Sequence, residues 1–250
     1  PSVTLPNLTT MDRDLQNASS RQVSLEVERQ VGRATTVAVG YQYLRGSGLL
    51  MSINQNVPSC VAVGVNNGCR PNPSYANNSQ YSSVGRSNYH GLHVSLVRRP
   101  SALGQYRVSY TLSSSKNNVG EFFFSSPIDP FDLSKDWGRS DDDQRHRLVV
   151  NGSLQAPSDS SGRAVLRLIR GFQASGLVQV YSAVPYNITS GVTTVQGTAG
   201  RPIVNGVFIA RNTGHSTPFV NANLRVSRTI ALSGRVMAEV LVDVFNLTNH

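Results

Sequence analysis

The stretch Gln22-Val23-Ser24-Leu25-Glu26-Val27-Glu28-Arg29-Gln30-Val31-Gly32-Arg33-Ala34-Thr35-Thr36-Val37-Ala38-Val39-Gly40-Tyr41-Gln42-Tyr43-Leu44-Arg45 decides how this chain reads. Val23, Leu25 and Val27 alternate with Ser24, Glu26 and Glu28, the period of a strand with one apolar and one charged face. After the turn Gly32-Arg33 the device repeats, with Val37, Val39, Tyr41 and Tyr43 set against Thr36, Ala38, Gly40 and Gln42. The second run ends in aromatics, where the interfacial girdle of a membrane strand belongs. The stretch is read as a β-hairpin with one apolar face.

Three more hairpins follow. Tyr89–Arg98 and Tyr106–Ser114 flank Pro100–Gly104, His146–Gln155 and Arg163–Ser182 flank Ala156–Gly162, and Asn221–Leu232 and Val236–Phe245 flank Ser233-Gly234. Each repeats the alternation: Leu92, Val94 and Leu96 around His93 and Ser95; Tyr106, Val108, Tyr110 and Leu112 around Arg107, Ser109 and Thr111; Val240, Val242 and Val244 around Asp243. Arg163–Ser182 is too long for an ordinary strand of about five or six residues. A tilted membrane strand of about ten residues that projects beyond the bilayer accounts for the excess.

Short and long connections alternate strictly. Between the hairpins lie polar, Gly/Asn/Ser-rich stretches of roughly 30 to 40 residues, against a usual handful. Tight turns on one side and extended loops on the other are what a transmembrane β-barrel requires. Composition agrees: only 15% of residues are charged, and 39% are hydrophobic, below the usual quarter of charged residues in soluble domains. No apolar run approaches the length of a membrane helix.

A net charge of +9 ordinarily raises nucleic acid as a partner. Here the basic residues are almost all arginines spread singly, with Arg98-Arg99 the one adjacent pair, so no nucleic-acid partner is expected. Arginines near strand ends suit anionic lipid head groups instead. Cys60 and Cys69 are close enough to close a small loop by disulfide, which implies an oxidising compartment, and they lack zinc spacing. A disulfide is expected over free thiols.

Alternation alone does not separate a barrel from a soluble sandwich, which packs two apolar sheet faces together. Loop length, strand length and the aromatic strand ends favour the barrel. About eight strands are read, and the run Phe245-Asn246-Leu247-Thr248-Asn249-His250 does not resemble a finished closing strand. Together with a first residue that is Pro1, this leads to the expectation that the chain is part of a larger barrel.

Several stretches are familiar in order. Ser24–Gly32, Val39-Gly40-Tyr41, Asn88–Leu96, Ser109–Lys116, Ser140-Asp141-Asp142-Asp143-Gln144-Arg145-His146-Arg147, Asn223–Thr229 and Val244–His250 resemble successive strands of the C-terminal barrel half of TonB-dependent outer-membrane receptors. The branch they resemble is the Oar-like one, whose members carry an N-terminal carboxypeptidase-regulatory-like domain. The resemblance implies an all-β, antiparallel up-and-down transmembrane barrel segment over residues 1–250, with the plug, the TonB box and the first half of a roughly 22-stranded barrel lying elsewhere. It also implies the bacterial outer membrane, outer-membrane lipid as surroundings, TonB acting through the plug, and a solute as cargo.

Other constellations read more plainly. Asp132, Asp136 and Asp141-Asp142-Asp143 lack the spacing of a calcium loop and are expected to pair with Arg139, Arg145 and Arg147. His146 beside Asp143 suggests a hydrolase, but no Gly-x-Ser-x-Gly elbow accompanies it, so no catalytic residue, metal or cofactor is expected. His93, Arg107, Arg145 and Arg147 are the candidates for contact with a solute in the lumen or loops, with residues 46–87, 115–143 and 183–218 as outward loops. A secreted β-sandwich that binds a partner is the alternative, and a carbohydrate-active enzyme ranks third for want of paired carboxylates.

Overall fold

Gly32, with φ of 70°, takes the left-handed turn that closes the first hairpin, and the rest of the wall is built by repeating that unit. The computed structural model describes residues 4–59, 67–101, 104–120, 126–156, 169–191, 200–234 and 236–249. In chain order the strands are β1 (Leu8–Met11), β2 (Ser19–Val31), β3 (Thr35–Asn54), β4 (Asn78–Ser101), β5 (Gly104–Asn117), β6 (Gly138–Arg139) and β7 (His146–Gln155). They continue with β8 (Phe172–Tyr181), β9 (Pro185–Tyr186), β10 (Ile203–Val204), β11 (Val207–Phe208), β12 (Gly214–His215), β13 (Phe219–Ser233) and β14 (Val236–Val244).

One ten-stranded sheet dominates, in the order β14-β13-β8-β7-β5-β4-β3-β2, with β6 and β1 added at its upper margin. Every pairing along that path is antiparallel between neighbours in the meander, as an up-and-down barrel wall demands. The sheet is open, β2 and β14 each pairing on one side.

Registers carry the alternation across the wall. Val27, Val39, Val94, Tyr110, Leu148, Val180 and Val220 are successive cross-strand partners, so they share one face. That face is uncovered: Leu25 is 70% exposed, Val27 65% and Val242 61%. A sandwich would bury it against a second sheet. Here one continuous sheet leaves it open, and the sandwich is set aside.

Three strand boundaries differ from the sequence expectation. β3 runs to Asn54 and β4 starts at Asn78, with Asn54 opposite Ser79, so much of the expected loop 46–87 is a hairpin extension. About ten residues span a bilayer, and the remainder stands beyond it, where no lipid enforces alternation. β8 is the reverse case: it begins at Phe172, because Gly171 turns the chain with φ of 81° under the Thr229 carbonyl. Residues 163–168 of the long strand expected there lie outside the described residues.

The extensions and loops have their own packing. Met51, Ile53 and Val119 form a small buried apolar cluster with Leu49 and Leu133 against it. Nearby, buried Asn56 donates from its side-chain amide to the carbonyls of Asn72, Tyr75 and Ala76 and accepts from the Asn72 amide, fixing the β3–β4 connection.

Candidate solute-facing wall

Opposite the apolar face, the registers align a row of functional groups. Glu26, Gly40, His93, Thr111, Arg147, Tyr181 and Phe219 are successive cross-strand partners over β2, β3, β4, β5, β7, β8 and β13. His93 Nδ1 lies 3.3 Å from Thr111 Oγ1. The Arg147 guanidinium sits 4.7 Å from the Tyr181 ring centroid, and Tyr181 stacks on Phe219 at 5.4 Å. The row thus runs from a carboxylate through an imidazole and a guanidinium to a two-ring aromatic platform, a set capable of charge pairing, hydrogen bonding and stacking.

Glycines give the row relief. The Glu26 side chain lies over Gly40, and the Tyr89 ring lies over Gly91, where a Cβ would meet the hydroxyl at 2.5 Å. A concavity of about 420 Å³ opens there, lined by Gln22, Glu26, Gln42, Tyr89 and His93. A second, of about 600 Å³, lies lower on the same face among Gln105, Asn151, Gln173, Asn223, Arg225 and Asp243. Arg225 grips Asp243 through two bonds of 2.6 and 2.9 Å.

The four residues singled out from the sequence are therefore divided. His93 and Arg147 stand in one row; Arg107 is four residues along β5 from Thr111, about 13 Å away at ~3.3 Å per residue, beside Arg98, Gln105 and Asn151. Arg145 precedes β7, exposed, its carbonyl accepting the Ser113 amide at 2.9 Å. Cys60 lies outside the described residues; Cys69 is disulfide-bonded. The row members that sequence reading passed over are Glu26, Tyr181 and Phe219. Their signal lay in the registers, since nothing local marks residues on three separate strands as partners.

Above the wall, the acidic loop residues are held by arginines, most of them from a distant loop. Arg139 Nε donates to Asp143 at 2.7 Å, while Asp143, 1% exposed, also accepts the Ser115 amide at 2.7 Å. Arg211 donates to Asp141 at 2.9 Å and Asn117 at 2.7 Å; Asn212 donates to Asp141 and to the Arg139 carbonyl. Arg201 donates to Asp136 at 3.1 Å and to the Lys135 carbonyl at 2.6 Å. The expected partners Arg145 and Arg147 are thus replaced by Arg201 and Arg211, which a one-dimensional reading places too far away. Burial dominates the Arg201–Asp136 pair: it pushes the Asp136 carboxyl up, against the Ile128 amide and Arg201, and the Arg201 guanidinium down. On the apolar side, His146 Nδ1 meets the Tyr110 hydroxyl at 2.8 Å, and Tyr41 and His90 form the same pair at 2.8 Å. Both Tyr–His pairs sit at the upper edge of the apolar belt, in the position of an interfacial girdle.

The family model for the outer membrane beta barrel domain matches residues 1–218. The chain belongs to that family. This outer-membrane barrel chain has no match among curated proteins. Among solved structures it is similar to the outer membrane transporter YddB from Escherichia coli, with a TM-score of 0.64, 11% identity and coverage of 99% of this chain. It spans 31% of that transporter's length. For an outer-membrane barrel the two faces of the sheet have fixed meanings: the Val/Leu face meets lipid, and the row from Glu26 to Phe219 faces the lumen.

Proposed function

We propose that the chain is part of the wall of a TonB-dependent receptor of the Oar-like kind, which admits a solute across the bacterial outer membrane without bond chemistry. The observation that carries this reading is the lumen-facing row Glu26–Phe219 beneath loops tied together by buried ion pairs. A wall with graded polar contacts and ordered loops binds a solute; a mere structural barrel has no need of either. Similarity in fold to an outer membrane transporter supports transport, and the two open sheet edges call for the remaining strands of a larger barrel. The plug, and TonB acting through it, follow from the family resemblance. Cys60 and Cys69 close a disulfide within the β3–β4 connection, and His93 and Arg147 contact the solute directly, with Arg107 lower in the lumen.

The coding sequence ahead of Pro1 tests the reading. A plug domain and a TonB box are expected there; an open reading frame that starts without them removes the TonB-dependent assignment and leaves a barrel of another kind.

A further inference from the structure

The lipid-facing side of the wall is not evenly covered. Gly152 and Gly176 are direct cross-strand partners within the row Arg98, Tyr106, Gly152, Gly176, Leu224. With no Cβ on either, the surface sinks into a hollow of about 360 Å³ bounded by Tyr106, Val150, Leu154, Ala174, Val178 and Leu224. Its walls are aliphatic and aromatic, unlike the amide- and charge-lined hollows on the lumen side. Along β8 toward the short turns the track continues past Ala174 and stops at Phe172, four residues or about 13 Å beyond Gly176.

At that end stands Arg228. Phe172 is its cross-strand partner on one side and Val240 on the other, and its guanidinium lies 4.9 Å from the Phe172 ring centroid. Val226 and Ile230 are its neighbours along the strand on this face, so no carboxylate among the described residues shares its surroundings; Glu239 pairs with Thr229 on the other face. Arg29 and Arg98 bring the same charge to the periplasmic border of the belt. A cation steadied on an aromatic ring at the end of an apolar track presents rigid donors to an anion whose body is hydrocarbon.

We propose that this track and Arg228 form a binding site for an anionic phospholipid of the periplasmic leaflet, with an acyl chain in the Gly152–Gly176 hollow and the phosphate on the guanidinium. The occupant follows from the surroundings: the face lies in the outer membrane, the hollow accepts only hydrocarbon, and an unopposed cation at its mouth selects an anion. Gly176 is the position to fill, because a Cβ there meets only the Asn223 carbonyl at 3.4 Å, whereas one on Gly152 would press to 2.6 Å on the Gln105 carbonyl.

The test uses the intact protein in mild detergent, with retention of dioleoyl phosphatidylglycerol and dioleoyl phosphatidylcholine read by native mass spectrometry. The anionic lipid is expected to be retained preferentially, with the preference lowered about fivefold in Arg228→Gln, as one interfacial charge accounts for, and restored in Arg228→Lys. Gly176→Leu is expected to lower retention of both lipids while heat-modifiable gel mobility stays intact; should it misfold, Ala174→Val serves as the second filling variant. Equal retention of the two lipids, unchanged retention in a folded filling variant, or an equal loss in the turn variant Arg33→Gln each overturns the proposal.

Discussion

Replacing Arg201 by glutamine leaves Asp136, whose side chain is 14% exposed and accepts the Ile128 amide, without its cation, and takes the guanidinium donor from the Lys135 carbonyl. Breaking a buried pair from one side costs about 3 kcal/mol, and the loss falls on the loops rather than on the wall. Hydrogen exchange at residues 128–137 should speed up in Arg201→Gln while the strand amides stay protected. The pH dependence of the same loop has two opposing parts. Asp136 has a raised carboxyl, so its contribution is present in acid and lost as pH rises through its folded value. Asp129 is pushed up by burial but held below its ordinary value overall by Lys135 and the Phe131 and Asp132 amides, so its contribution is lost as pH falls. Asp136→Asn removes the part that acid strengthens, and exchange of this loop should then become more acid-sensitive than in the parent. At the wall, Arg147→Ala takes the cation from the Tyr181–Phe219 platform. On the receptor reading proposed above, it should weaken solute binding about fivefold, the worth of one ~1 kcal/mol contact from the guanidinium, with folding unchanged by heat-modifiable mobility.

At the scale of elements, the outer halves of β3 and β4 are joined across a bulge at Ser47 to Leu50, where Gly85 faces Leu49. A Cβ on Gly85 would come within 2.8 Å of the Leu49 carbonyl. Gly85→Ala should therefore cost about 1–3 kcal/mol of strain and open residues 46–54 to protease, while the membrane part keeps its compact gel mobility. Peptide mapping without reductant should recover Cys60 and Cys69 in one linked species, and two unlinked peptides would remove the disulfide. Hairpins were legible in the sequence because lipid on one side and water on the other force a period of two on residues such as Val23–Val27 and Val236–Val244. The extensions were not, since Asn78, Ser79 and Gln80 are a run of polar residues with no alternation and look like loop. The arginine partners of Asp136 and Asp141 were illegible for another reason: Arg201 and Arg211 lie 65 and 70 residues away, and only the fold brings them near.

For the molecule as a whole, the assignment of faces makes neighbouring residues respond oppositely to the same change. Val150 lies mid-wall on the lipid side and Asn151 beside it on the lumen side. Val150→Arg should cost about 2–4 kcal/mol, the value for a cation at the bilayer midplane of a barrel, and Asn151→Arg far less. Equilibrium unfolding in lipid bilayers measures both; equal costs would contradict the faces.

β1 gives the wall a property that no hairpin has. It runs parallel to the top of β4, Leu8 to Met11 against Asn78 to Tyr81, and the chain then crosses the β3–β4 hairpin to reach β2 on its far side. The crossing is tied down at Ser83, whose hydroxyl exchanges bonds with the Gln16 backbone, and passes over Gly48, where a side chain would meet the Asn17 carbonyl. A pull on the chain ahead of Leu8 therefore acts along β1 and loads its ladder bonds in shear, all together. The same pull on a plain hairpin would unzip them one at a time, so the strap stiffens the top of β4 against such a load.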